Sequence, residues 1–72
     1  MIDISDLFTA NLKHLRRSKG LTQEGLANLS GYSRVYIASM EAGAVSINLK
    51  TIGRIARGLR VPPWRLLWTK DR

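Results

Sequence analysis

The chain has 72 residues, enough for one small domain, predicted over residues 1–72, because chains of this size bury only about 60% of the surface that they expose when unfolded. Zero cysteines and a single histidine exclude disulfides and any cluster at metal-ligand spacing, so we expect neither a metal nor another cofactor. Twelve Lys and Arg against five Asp and Glu give a net charge of +7, which favours a polyanionic partner such as nucleic acid or an anionic membrane. Because no apolar run approaches the roughly 18 residues of a membrane span, we expect a cytoplasmic protein.

Two helices are predicted in the N-terminal half of the chain. Apolar residues at spacing i, i+4 and i+7 predict a first helix from about Ser5 to Lys19; they are Phe8, Leu12 and Leu15. Thr22 is suited to cap a second helix, from Gln23 to about Ser30, because its hydroxyl can accept from an unpaired backbone N–H of the first turn. The expected buried side of this second helix is Leu26, Ala27 and Leu29.

A tight turn and a third short helix follow. Gly31 is suited to the turn because glycine adopts a positive φ without steric cost. Ser33 is a good N-cap for a helix that extends to about Ala42, with Ile37 and Met40 facing inward. Residues 22–42 therefore have the spacing of a helix-turn-helix.

The C-terminal part predicts two more helices. Asn48 is expected to cap a fourth helix over residues 48–60. Its apolar residues at helical spacing are Leu49, Ile52, Ile55, Ala56 and Leu59. Pro62 and Pro63 end this helix because proline lacks the amide donor, and Pro63 is suited to open a fifth helix over residues 63–68. The sequence thus predicts an all-α fold of five short helices.

An ordered set of residues extends through the middle of the chain at fixed spacing. Its members are Leu15-Arg16, Gly20-Leu21-Thr22-Gln23-Glu24, Leu26-Ala27, Ser33, Tyr36-Ile37, Glu41, Gly43, Leu49, Thr51-Ile52, Ile55-Ala56, Leu59 and Val61. From Arg16 to Leu67 the chain resembles the Cro/C1-type (XRE) helix-turn-helix family, which has the lambda-repressor-like fold of phage repressors and restriction-modification controller proteins. Each element is common by chance, so the ordered combination carries the resemblance.

The resemblance implies that the third helix is a recognition helix for double-stranded DNA. The side chains placed nearest the base edges are Ser33, Arg34, Val35 and Ser39. Arg34 is the strongest candidate, because a guanidinium group donates two hydrogen bonds to O6 and N7 of guanine, and Val35 is suited to a thymine methyl group. Phosphate contacts are implied for Gln23, Tyr36, Ser46, Asn48 and Lys50. The simpler alternative for Ser33, Arg34 and Ser39 is that they are exposed polar residues on a short helix.

Two further features concern charged residues. The resemblance implies a buried ion pair between Arg16 and Glu41 that ties the first helix to the end of the third. The chain departs from the family pattern at Gly25 and at the uncharged Ala44 and Val45. Because Ala44 and Val45 make the loop before the fourth helix less basic, we expect this loop to bind phosphate less strongly. The fourth helix has a basic stripe formed by Arg54, Arg57 and Arg60. This stripe could contact DNA, but the preferred interpretation is a solvated outer face, because its residues alternate with apolar ones.

Three apolar residues near the C-terminus form the predicted dimer interface: Trp64, Leu67 and Trp68. Trp64 and Leu67 are also expected in the core, because they match apolar positions that pack on the first helix in this family. Trp68 is assigned to a two-fold contact because tryptophan is enriched at interfaces. With 44% apolar residues in a short chain, the core is marginal, and a second copy is the remaining source of support.

These observations predict a homodimeric, sequence-specific transcriptional regulator that binds a near-palindromic operator. A restriction-modification controller protein and a phage-type repressor both fit, and RNA polymerase is a further candidate partner. The alternative from another class is a protein-interaction module, such as an antitoxin that uses the helix-turn-helix as a scaffold. An enzyme is disfavoured, because the single histidine, His14, lies in a basic helix without a plausible nucleophile arrangement.

Overall fold

A computed structural model describes residues 3–69, so the ends of the predicted 1–72 domain lie outside the described residues. Four α-helices and one short 3-10 helix make up this part of the chain, which contains no strand: α1 (Ile4–Ser18), α2 (Gln23–Ser30), α3 (Arg34–Glu41), α4 (Leu49–Leu59) and the 3-10 helix (Pro63–Leu66). The predicted fifth α-helix over residues 63–68 is therefore a single 3-10 turn. No helix in residues 3–69 is long and apolar enough to cross a membrane.

Side-chain caps fix the start of every α-helix. Asp3 accepts a hydrogen bond from the backbone N–H of Ser5 at the start of α1. Thr22, Ser33 and Asn48 each accept one from the N–H three residues later, over 2.9, 3.1 and 2.8 Å. These bonds satisfy donors that have no partner within the helix. Because each cap joins neighbours in sequence, the helix starts were predictable without knowledge of the fold.

One hydrophobic core joins all five elements. Its buried side chains are Phe8, Leu12, Leu15, Leu26, Ala27, Ile37, Met40, Ile55, Ala56, Leu59 and Leu66. Fully burying a large apolar side chain stabilises a fold by about 1.5–3 kcal/mol. The α2 and α4 helices pack tightly at Gly58, where a Cβ atom would lie 3.2 Å from both Leu26 Cδ1 and Ser30 Cβ. A side chain at position 58 would therefore require Leu26 and Ser30 to shift by a few tenths of an ångström.

Two leucines predicted on buried helix faces are exposed. Leu29 is 57% exposed, because α2 is buried through Leu26, Ala27 and Ser30 and Leu29 lies at the edge of that face. Leu49 is 84% exposed at the first residue of α4. Helical spacing alone was misleading at both positions. A side chain is buried only if another element packs against it, even where the spacing of apolar residues is helical.

The C-terminal segment also differs from the prediction. Trp64 is 58% exposed and is not in the core, whereas Leu66 is fully buried and Leu67 is half-buried against the core. A 3-10 helix has three residues per turn, so the side chain that faces inward differs from the one that an α-helical period selects. The amide of Asn11 on α1 donates to the carbonyl oxygens of Leu66 and Trp68 over 3.0 and 2.8 Å. Asn11 thus binds this segment to α1, a role that the sequence did not indicate.

Candidate DNA-binding surface

The start of α3 exposes the side chains that the sequence placed nearest DNA bases. Ser33 and Arg34 are exposed, Val35 is 64% exposed, and Ser39 is half-buried one turn further along. Within residues 3–69, Arg34 forms no hydrogen bond or ion pair, so its guanidinium donors are unpaired there. Ile37 and Met40 on the same helix are fully buried, and they fix α3 to the core. The helix thus presents an unpaired arginine and an exposed valine from a rigid base.

The residues predicted to contact phosphate lie on α2, on α3, in the loop before α4 and in the first turn of α4. Ser46, Asn48 and Lys50 are exposed in the loop before α4 and in its first turn. Asn48 uses its amide oxygen as the cap of α4, where it accepts from the N–H and the hydroxyl of Thr51 over 2.8 and 3.0 Å. Its amide N–H groups remain for a ligand, since they make no hydrogen bond within the described part of the chain.

Gln23, at the first residue of α2, is held by the end of α3. Its amide nitrogen donates to Glu41 Oε1 over 3.2 Å, and the side chain is half-buried. An amide nitrogen carries two N–H donors, so one remains for a phosphate oxygen. Glu41 thus restricts the orientation of the Gln23 side chain.

Arg16 and Glu41 form a buried ion pair between α1 and α3. Arg16 Nε lies 2.5 Å from Glu41 Oε2 and Arg16 Nη2 lies 3.1 Å from Oε1, so the guanidinium binds the carboxylate through two parallel hydrogen bonds. Arg16 Nη1 also donates to the carbonyl oxygen of Leu21 over 2.8 Å. With Gln23, the pair joins α1, the start of α2 and the end of α3.

The ion pair makes part of the stability depend on pH. Burial by itself raises the pKa of Glu41, but the hydrogen bonds from Arg16 and Gln23, with the charges of Arg16 and Lys13, outweigh burial and hold this pKa below its ordinary value of 4.5. A depressed folded-state pKa contributes stability above the unfolded pKa, and that contribution is lost as pH falls through the folded value. We therefore expect urea unfolding to show a loss of stability below about pH 4.5 that is smaller in Glu41→Gln. A parallel loss in both proteins would assign the acid sensitivity to other groups.

A second cluster, formed by Arg54, Tyr32 and Tyr36, was not predicted. Arg54 on α4 donates from Nε and Nη2 to the carbonyl oxygen of Ser30 over 3.2 and 3.1 Å, and from Nη2 to that of Gly31 over 2.8 Å. Its Cζ atom lies 3.9 Å from the centre of the Tyr32 ring, which meets the Tyr36 ring edge to face at a centroid distance of 4.9 Å. The interpretation of Arg54 as part of a solvated outer face is wrong.

The other two members of the predicted basic stripe, Arg57 and Arg60, are exposed. No spacing in the sequence distinguishes them from Arg54, because the partners of Arg54 lie more than twenty residues away along the chain. Within residues 3–69, no group of three or more His, Cys, Asp or Glu side chains could hold a metal ion.

Comparison with known proteins identifies the family of most of the chain. Residues 12–63 match the HTH_3 family, described as helix-turn-helix. The chain is similar to the uncharacterized HTH-type transcriptional regulator y4dJ of Sinorhizobium fredii, at 36% identity over 97% of the chain and 91% of the relative. It is also similar to control protein C.SmaI of Serratia marcescens, at 33% identity over 92% of the chain and 79% of that protein.

A solved structure gives the same result for the fold. The restriction-modification controller protein C.AhdI from Aeromonas hydrophila superposes with a TM-score of 0.82 and 39% identity, covering 86% of this chain and 94% of the controller. The family match covers well over half of the chain and includes the whole helix-turn-helix. The chain therefore belongs to the HTH_3 (XRE) helix-turn-helix family of DNA-binding transcriptional regulators.

Proposed function

We propose that this chain is a sequence-specific regulator that reads double-stranded DNA with α3. The observation that carries the proposal is the exposed, unpaired guanidinium of Arg34 at the start of a helix that Ile37 and Met40 hold in the core. A guanidinium group is suited to guanine because two of its donors match the O6 and N7 acceptors in the major groove. Val35, an exposed apolar side chain beside it, is suited to a thymine methyl group.

The phosphate contacts are assigned to groups on either side of α3. The remaining N–H of Gln23, the Tyr36 hydroxyl, and the exposed loop residues Ser46, Asn48 and Lys50 supply these donors. Such contacts fix the register of the protein on the duplex without reading its sequence. The net charge of +7 adds a sequence-independent attraction that falls as salt rises.

The proposed active form is a homodimer that joins two copies through Trp68, Leu67 and Trp64. Trp64 and Trp68 are 58% and 41% exposed, which is unusual for tryptophan in a small domain and typical of an interface residue. A two-fold dimer would place two α3 helices in successive major grooves about 34 Å apart, and its operator would be near-palindromic.

The replacement Trp68→Ala tests the interface. We expect it to weaken the dimer at least about thirtyfold, because loss of a central interface tryptophan typically costs 2 kcal/mol or more. Sedimentation over a range of concentrations measures the change. Leu49→Ala is the matched control, since Leu49 is an exposed apolar residue on α4, 84% exposed and outside the proposed interface. Equal dimerisation of the two variants would place the interface elsewhere.

A controller role is the biological function that the relatives favour. One relative is described as a control protein and the C.AhdI structure as a restriction-modification controller. By analogy, we propose that this regulator acts on a promoter through its own concentration, since dimerisation and operator binding are coupled by mass action. Activation would require RNA polymerase bound beside the operator, whereas repression would require only that the operator be occupied.

The deciding experiment is binding selection from a random duplex pool at physiological salt, where nonspecific phosphate affinity is suppressed. We expect enrichment of a two-fold-symmetric site with guanine at corresponding positions of both half-sites. An asymmetric enriched site would support sequence reading and reject the homodimeric arrangement. An unenriched pool would reject sequence-specific reading, and the protein-interaction module would then be the better explanation of the fold.

A further inference from the structure

The guanidinium of Arg54 binds the exposed end of another helix. The last carbonyl groups of an α-helix have no partner within the helix and carry partial negative charge. Ser30 and Gly31 supply two such carbonyls at the end of α2, and three hydrogen bonds of 2.8–3.2 Å from Arg54 satisfy them. The α4 helix thus fixes the geometry of the turn between α2 and α3.

The same guanidinium is linked to a residue at the proposed phosphate surface. It covers the ring of Tyr32 at 3.9 Å, and Tyr32 contacts Tyr36 edge to face. Tyr36 lies in the first turn of α3, where its backbone N–H donates to the cap Ser33. A continuous set of contacts therefore joins α4 to the part of α3 that carries Arg34.

We propose that Arg54 is a positioning residue for sequence reading: it holds the turn between α2 and α3, and through Tyr32 it orients Tyr36 and the start of α3 against DNA. This inference rests on the proposed function. Arg54 need not contact DNA for this role, because its Nε and Nη2 donors are occupied and one face lies against Tyr32. Only the Nη1 donors remain for a direct phosphate contact, and the two roles give different results on substitution.

The first test is Arg54→Lys, which keeps the positive charge and removes the planar fork. Lysine serves well as a point charge near phosphate, but it cannot bind the carbonyl oxygens of Ser30 and Gly31 together or stack flat on the Tyr32 ring. We expect affinity for the selected operator to fall on the order of tenfold while affinity for a random duplex of equal length stays unchanged. Arg57→Lys is the matched control, since Arg57 is an exposed arginine on the same helix. Urea unfolding confirms that each variant is folded under the binding conditions.

A second variant displaces the guanidinium without changing Arg54. Gly31 has a left-handed φ of +78°, and a Cβ atom there would lie 2.6 Å from Arg54 Nη2. Asparagine tolerates this backbone conformation, so Gly31→Asn is expected to keep the turn but displace the end of the arginine. It should reproduce the operator-specific loss of Arg54→Lys, and combining the two should add little further loss.

Tyr32 tests the ring contact. Tyr32→Phe keeps the stacked ring and should retain discrimination, whereas Tyr32→Leu removes the ring and should lose it. If Arg54 is only structural, Arg54→Lys lowers stability and leaves the ratio of operator to random affinity unchanged. If it contacts phosphate directly, both affinities stay nearly unchanged or fall by the same factor, because lysine keeps the charge near phosphate. Either result overturns the inference about Arg54. The proposed function still stands if the wild-type protein binds the operator more tightly than a random duplex. If the wild-type protein binds both duplexes equally, the proposed function and the inference are both rejected.

Discussion

Glu41→Gln is expected to lower the free energy of unfolding by about 3–5 kcal/mol, because it leaves the Arg16 charge buried without its counter-charge. Arg16 is 8% exposed and Glu41 6%, so water cannot replace the lost interaction. Arg16→Met should cost a similar amount, since within residues 3–69 it leaves Gln23 as the only side chain that donates a hydrogen bond to the carboxylate. A loss of this size is a large part of the stability of a small domain. Urea unfolding with circular dichroism measures it.

Arg17→Met is the matched control, because Arg17 is the exposed neighbour of Arg16 on α1 and its loss changes the net charge equally. The double variant Arg16→Met with Glu41→Leu should lose less than the sum of the single changes, since neither charge is then left unpaired. Single variants that remain within about 1 kcal/mol of Arg17→Met would show that this pair does not hold α1 to α3.

Arg34→Ala is expected to remove most discrimination between the selected operator and a random duplex. A bidentate contact to guanine discriminates by about 1–3 kcal/mol, and a homodimer would lose two such contacts, or roughly 2–6 kcal/mol. Stability should change little, because Arg34 is exposed and makes no hydrogen bond within residues 3–69. Fluorescence anisotropy with both duplexes at several salt concentrations gives the affinity ratio and the salt dependence together.

Arg57→Ala removes the same charge from an exposed position on α4 and serves as the control. If Arg34→Ala weakens binding to both duplexes equally and reduces the salt dependence by about one charge, Arg34 contacts phosphate and does not read a base. Base reading would then be assigned to Val35 and its neighbours.

The two variants separate the stability of the fold from the proposed DNA-reading surface. Glu41→Gln acts on the contact between α1 and α3, so its effect on DNA binding should follow the fraction of folded protein. Arg34→Ala acts on an unpaired side chain and should leave that fraction unchanged. We therefore expect the buried, paired charges of Arg16 and Glu41 to affect stability, whereas the exposed charge of Arg34 is available to bind DNA.

The sequence by itself determined the four α-helices and the caps of three of them. Thr22, Ser33 and Asn48 cap the predicted helices through bonds that reach only three residues along the chain, and Gly31 has the left-handed conformation that the turn requires. These features depend on neighbouring residues alone, so a linear pattern contains the necessary information. The family pattern also placed Arg16 and Glu41 as partners, although they lie far apart in sequence.

Only the tertiary structure decided which side chains meet across helices. The period of α4 could not separate Arg54, which binds the end of α2, from the exposed Arg57. Likewise, Trp64 is exposed and Leu66 buried because residues 63–66 form one 3-10 turn, bound to α1 by Asn11, where an α-helix was expected. Burial and long-range hydrogen bonds depend on which element packs opposite a residue, and a helical period specifies a face without specifying what covers it.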